Sequence, residues 1–200
     1  MLRMETLLWS VGIDLVAGVD EVGLGPLAGP VVAAAVVFPA GVQCTPVDDS
    51  KKLSAARREA LDARIRAEAA QISIASVEVP ELDGLGVRRA GNVAMRRAVE
   101  GLAETPGHLL VDAVEIEGVS VGQTSLVKAD TFIHSVAAAS VIAKVHRDAI
   151  MRDLDVDFPG YGFGRHMGYG TAAHLEALAE LGPTPHHRRS FAPIRRLLGP

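Results

Sequence analysis

Leu15-Val-Ala-Gly-Val-Asp20-Glu21-Val-Gly-Leu-Gly-Pro-Leu-Ala-Gly-Pro30 is an apolar run that ends on two adjacent carboxylates and passes at once into a glycine- and proline-rich turn. Residues 16–21 are β-branched and apolar, as are residues 31–38, so the segment predicts two strands joined across Gly23, Gly25, Pro26, Gly29 and Pro30. Neighbouring carboxylates repel each other unless a cation or a proton intervenes. Two more acids occupy similar places. Asp112 closes His108-Leu-Leu-Val, and Asp130 closes Ser125-Leu-Val-Lys-Ala. Ligands of α/β sheets gather at the carboxyl ends of strands. Acids at three such ends predict a site for divalent metal, and hence phosphate chemistry.

Working outward, Ser54 opens a helix with Leu53, Leu61 and Ile65 on its buried stripe, and residues 72–79 alternate well enough for a third strand. Residues 81–103 are helical in composition and break near Gly84 and Gly86. Residues 108–111 and 125–128 are short strands, 135–154 a long alanine-rich helix, and 171–181 a helix ending at Gly182-Pro183. The string βββαβαβα, with the first helix read as a small insertion, predicts an α/β fold: a mixed sheet flanked by helices.

Two hundred residues suit one domain, and 48% hydrophobic with 22% charged residues is ordinary for a soluble globular chain. The longest apolar run, residues 31–38, falls far short of the roughly 20 a membrane helix needs. Leu7-Leu8-Trp9 is too brief for a secretory core, so no signal peptide and no membrane segment is expected. The lone Cys44 makes no internal disulfide, which fits a reducing cytoplasm. A net charge of −4 argues weakly against nucleic acid, but distribution outweighs the sum. Residues 183–200 hold Arg188, Arg189, Arg195 and Arg196 and no acid, and Lys51-Lys52, Arg57-Arg58, Arg88-Arg89 and Arg96-Arg97 are further basic pairs. The histidines do not suggest zinc, since His166 and His174 are too far apart for one helical turn. No Gly-x-Ser-x-Gly nucleophile elbow occurs either.

The opening motif is not alone. Gly18-Val-Asp-Glu-Val-Gly-Leu-Gly-Pro-Leu-Ala-Gly-Pro30 closely resembles the first signature of bacterial ribonuclease HII. So do Asp49-Ser-Lys-Lys-Leu-Ser54, Ala137-Ala-Ala-Ser-Val-Ile-Ala-Lys-Val-His-Arg-Asp148, and His166-Met-Gly-Tyr-Gly-Thr171 with His174 beyond it. His187-Arg-Arg-Ser-Phe191 completes the series, in the family's order, over about residues 15–197.

The resemblance implies an RNase H-like fold with a mixed five-stranded sheet and a helical C-terminal extension. Residues 1–200 would form one catalytic domain, about 15–160 its core and about 161–200 a substrate-binding extension. The implied activity is endonucleolytic cleavage of RNA in RNA–DNA hybrids and at single ribonucleotides embedded in DNA. Cleavage 5′ of the ribonucleotide would leave a 3′-hydroxyl and a 5′-phosphate. By resemblance the catalytic and metal-binding acids are Asp20, Glu21, Asp112 and Asp130. The implied cofactor is Mg²⁺ or Mn²⁺, and two such ions roughly 3.5–4 Å apart activate a water and stabilise the leaving oxygen. Adjacent strand residues face opposite ways, so Asp20 and Glu21 share a site only if the strand ends there. Asp148, inside a helical run beside Arg147 and Arg152, is expected to make a structural ion pair.

For substrate, Gly23, Leu24 and Gly25 would present backbone to a ribose 2′-hydroxyl, and Tyr169 would stack on the sugar at the junction. Lys51, Lys144, Arg188 and Arg189 are the expected phosphate contacts. Two positions depart from the family pattern: Leu24 stands within the family's Gly-Arg-Gly, and Met167 replaces a lysine. A related metal-dependent exonuclease and a hybrid-binding module whose catalysis has lapsed are the alternatives. A cytoplasmic monomer is expected, and the tail from Ile194 lacks the paired aromatics of a sliding-clamp motif.

Overall fold

The computed structural model describes residues 2–42 and 54–199. Lys51, Cys44 and most of the segment 49–54 therefore lie outside the described residues. In chain order the elements are α1 (Arg3–Ser10), β1 (Val16–Val22), β2 (Val31–Val37), α2 (Ala55–Glu68), β3 (Gln71–Val77), α3 (Val79–Leu85) and α4 (Val87–Glu100). They continue as β4 (His108–Asp112), β5 (Gln123–Leu126), α5 (His134–Asp157), α6 (Phe163–His166), α7 (Ala172–Leu181) and α8 (Ala192–Leu198).

The sheet has five strands in the order β3-β2-β1-β4-β5. β1 pairs antiparallel with β2, and β2 with β3, while β1–β4 and β4–β5 are parallel. Apolar side chains on both faces explain why β1 and β2 read as nearly unbroken hydrophobic runs. Ala17, Val19, Ala33 and Ala35 pack beneath α4 with Ala94, Met95 and Ala98. Val32, Ala34 and Val36 pack on the other face with Ala138, Val141 and Ile142 of α5. Small residues at the strand centres let both helices lie close. At Gly18 the approach is extreme: a Cβ there would sit 2.1 Å from the carbonyl carbon of Ser135, at the start of α5.

Ser54 caps α2 as expected, its hydroxyl accepting from the Arg57 amide at 3.4 Å. The helix pair after β3 breaks at Gly86, whose φ of +79° only glycine adopts easily. Two expectations are corrected, and one element is new. β3 ends at Val77, because Val79-Pro80 opens α3 instead. No helix separates β4 from β5; Gln123 bonds both the N–H and the C=O of Ile116, and Asn92 on α4 grips Glu115 and Glu117, which holds the connection flat. α1 has no counterpart in the sequence expectations. It is anchored by the buried Glu5, which accepts from the Ser135 amide and hydroxyl, both at 2.8 Å. Among the described residues no helix is long and apolar enough to cross a membrane.

Candidate active site

The parallel register of β1 and β4 pairs Val19 with Val111, so Asp20 and Asp112 follow side by side. Asp112 ends β4, but β1 runs on to Val22, so Asp20 and Glu21 lie within the strand instead of at its end, paired with Ala34 and Ala33 of β2. Asp20 is buried, and its Oδ1 accepts the Glu21 amide at 2.8 Å. Asp112 Oδ1 accepts the Ala129 amide at 2.7 Å, which draws the 3-10 turn Ala129–Thr131 over the strand ends. That turn carries the buried Asp130. Asp130 is thus not at the end of a strand, as the sequence suggested: β5 stops at Leu126, and Lys128 reverses the chain through a left-handed φ of 62°.

Burial first, and then the charge of Glu21, holds the Asp20 carboxyl well above its usual range. Asp112 and Asp130 push the same way, opposed by a hydrogen bond from Ser140. The rival acid Asp148 does form an ion pair, but with Lys144 and with Arg58 at 3.6 Å. Neither of its expected partners takes part: Arg147 is bonded to backbone carbonyls, and Arg152 pairs with Glu59 at 3.5 Å. Lys144, expected at phosphate, is therefore already engaged by a carboxylate.

Among the described residues, no three His, Cys, Asp or Glu side chains are drawn close enough to cage a metal ion. The donor chemistry still fits a hard divalent cation, because the buried Asp20 carboxyl feels the charge of Glu21, Asp112 and Asp130, all of them oxygen donors.

The glycine turn is shaped from below by two buried guanidiniums. Arg147 donates to the carbonyls of Ala28, Pro30 and Met167, each at 3.0 Å. Arg188 donates to Gly23 at 2.6 Å, Leu24 at 3.2 Å and Gly29 at 2.8 Å. A Cβ on Gly23 would meet Arg147 Nε at 2.4 Å, so this packing as well as a φ of +97° demands glycine. Arg188 is wholly buried, and burial together with Arg147 lowers its pKa to about 9. It builds the loop instead of meeting phosphate, because a guanidinium satisfied by carbonyls has no N–H facing solvent to offer. Arg189 is exposed, and its backbone amide is held by Asp83 at 2.8 Å. Leu24 lies over Gly91 of α4, where an added Cβ would come within 3.1 Å of it. Met167 packs with the cluster around Leu27 and Met151 instead of facing outward as a lysine would.

Tyr169 stands 47% exposed beside the turn, 3.5 Å from where a Cβ on Gly25 would lie. Its carbonyl accepts from His174 Nδ1 at 2.9 Å, and His174 Nε2 meets His187 Nε2 at 3.0 Å. His187 Nδ1 accepts the Thr184 amide at 2.9 Å. These partners assign one direction to the chain: Thr184 N–H to His187, His187 Nε2–H to His174, and His174 Nδ1–H to Tyr169. His166 stacks on His174 with ring centroids 4.3 Å apart. Sequence spacing had kept these histidines apart; the fold brings three together, without a metal-ligand arrangement among the described residues. Tyr161, by comparison, is a core residue whose hydroxyl donates to the Gly182 carbonyl at 2.6 Å.

The profile of a protein family described as Ribonuclease HII matches residues 17–194. The chain belongs to the ribonuclease HII family. A Ribonuclease HII of Myxococcus xanthus is 50% identical over 200 residues, covering all of this chain and 68% of that one. The crystal structure of ribonuclease H2 from Pyrococcus horikoshii OT3 superposes with a TM-score of 0.75 at 25% identity, over 92% of this chain and 96% of that one. A structure of Bst-RNase HIII in complex with Mn²⁺ shares the fold at 20% identity, with a TM-score of 0.67 over 95% and 71% of the two chains. As a ribonuclease HII family member the protein is a ribonuclease H, an endonuclease of the hydrolase class that acts on RNA–DNA substrates.

Proposed function

We propose that this ribonuclease H is a divalent-metal-dependent endonuclease. On this reading it hydrolyses RNA in RNA–DNA hybrids and also cuts at single ribonucleotides embedded in DNA. Cleavage falls on the 5′ side of the ribonucleotide and leaves a 3′-hydroxyl and a 5′-phosphate. The observation that carries this reading is the buried Asp20, whose carboxyl is kept reluctant to ionise by burial and by Glu21, Asp112 and Asp130. Such a cluster is costly to hold unless a cation joins it.

Asp20, Glu21, Asp112 and Asp130 would hold Mg²⁺ or Mn²⁺. When bound, such ions neutralise the carboxylates and make a bound water a stronger nucleophile at neutral pH. The chain's own part is to hold the carboxylates. Asp112 is fixed by the Ala129 amide and Asp20 by Ser140 and the Glu21 amide, so the acids are held on their elements and binding would draw them closer together. Gly23 and Leu24, clamped through Arg188, form with Gly25 a backbone wall against which a ribose 2′-hydroxyl is read, and the exposed Tyr169 ring stacks on the neighbouring sugar. Arg189 is the exposed phosphate contact of the C-terminal segment.

Residues 1–200 are read as one catalytic domain, with residues from about 161 serving as its substrate-binding extension. A monomer working in the cytoplasm completes the proposal. The deciding experiment uses a DNA duplex with one internal ribonucleotide, with and without Mg²⁺, and maps the nick. Asp112→Asn is expected to lower turnover by several orders of magnitude while the circular dichroism of the fold is retained. Wild-type rates in excess chelator would sink the metal reading.

A further inference from the structure

The basic pairs of the sequence separate into two kinds once folded. Arg96 is paired with Glu100 at 3.7 Å, Arg97 with Glu81 at 2.7 Å, and Arg58 with Asp148 at 3.6 Å. Arg88 and Arg89, in the first turns of the same helix α4, are exposed and have no ion pair among the described residues. Both line a groove of about 650 Å³ that also takes in Glu21, Leu24, Met95, Glu115 and Glu117. Glu21 belongs both to this groove and to the acidic cluster, so the groove runs directly out of the candidate active site.

We propose that this groove is a strand-binding subsite in which Arg88 and Arg89 hold backbone phosphates of the nucleic-acid strand leaving the acidic cluster. The proposal rests on the reading of that cluster as the cleavage site. The two guanidiniums stand at the positive end of α4, whose first turn holds no acid, so helix and side chains favour an anion together. The floor offered by Leu24 and Met95 is apolar and suits the face of a sugar or base. Leu24 itself is held over Gly91, so it contributes surface and no charge. The connection after β4 brings acids to the lining. Glu115 and Glu117 are exposed there, and Asn92 holds their backbone in place through the Glu115 carbonyl at 2.8 Å and the Glu117 amide at 2.9 Å. Basic and acidic lining together admit a single row of phosphates against α4 and repel a second. The groove therefore takes one strand and excludes a duplex. Arg96 and Arg97, about two turns further along α4, are paired with their own carboxylates and do not extend the track.

The test is cleavage of an RNA–DNA hybrid across a salt series, together with anisotropy binding of a 2′-O-methyl hybrid, which reads affinity without turnover. In Arg88→Gln/Arg89→Gln, KM and Kd should rise while kcat holds, and the slope of log affinity against log salt should flatten by about one for each phosphate no longer neutralised. Glu115→Gln/Glu117→Gln should shift affinity the opposite way at low salt. Arg96→Gln, whose partner is Glu100, should keep the wild-type slope. An unchanged slope in the Arg88/Arg89 variant, or an equal loss in Arg96→Gln, overturns the subsite. If the wild-type protein binds the hybrid with a slope that falls in the Arg88/Arg89 variant yet cleaves nothing, the subsite stands and the proposed function fails.

Discussion

Acidification should loosen the C-terminal segment through the His187–His174 pair, by an amount the structure sets. His187 is 1% exposed, and burial, with His174 next, lowers its pKa to about 4. An unfolded histidine titrates near 6.5. Between those values the unfolded chain binds a proton that the folded chain refuses, so stability is full above pH 6.5 and is lost as the pH falls toward 4. By pH 5 the linkage for His187 alone is about 2 kcal/mol. The cause is local: His187 Nε2–H already donates to His174, so the added proton falls on Nδ1, which would then face the Thr184 amide donor at 2.9 Å. His186 and His166 would add like charge. His134 is also lowered to about 4 by burial, so wild type by itself cannot isolate the effect. The assay is urea unfolding of wild type and His187→Gln at several pH values from 7.5 to 4.5. The variant's stability should fall less steeply, by about 2 kcal/mol between pH 7 and pH 5. Parallel curves for the two proteins would refute the buried, neutral histidine chain.

Gly18→Ala should be strongly destabilising, since its Cβ would lie 2.1 Å from the Ser135 carbonyl carbon and force β1 and α5 apart. A loss of about 2–4 kcal/mol, read by denaturant melts, is expected from overpacking of backbone on backbone; a loss under about 0.5 kcal/mol, the size of an ordinary surface change, would show that the helix yields freely. Tyr169→Ala should impair cleavage at a lone ribonucleotide in DNA more than cleavage of a long RNA–DNA hybrid, as the lone site offers a single ribose. Equal losses in parallel kinetics on the two substrates would assign the ring a packing role.

Much of this protein is legible in its sequence because the relevant forces are local. The β-branched runs at 16–21 and 31–38, the helix start at Ser54, the helix over 171–181 and the break near Gly86 each follow from a few neighbouring residues, and the structure reproduces them within a residue or two. The family was legible too, because its motifs are short and keep their order. The location of Asp112 at the end of β4 needed only a strand boundary, whereas β1 runs past Asp20 and Glu21 to Val22.

Other features depend on groups far apart in the chain. Arg188 looked like a surface cation in a basic tail. It is a buried clamp because residues 23–30, some 160 positions earlier, turn several carbonyls toward one point. Asp130 could be placed only when the Asp112 carboxylate captured the Ala129 amide. The three histidines met through the packing of α7 against the C-terminal segment, which no spacing rule encodes. The basic pairs along α2 and α4 read alike as sequence, and only the carboxylates that folding set beside Arg58, Arg96 and Arg97 distinguished them from Arg88 and Arg89. Local propensity and pattern determine elements from neighbours in sequence. Burial, charge state and free valence are decided by neighbours in space, and those exist only once the sheet and its helices have packed.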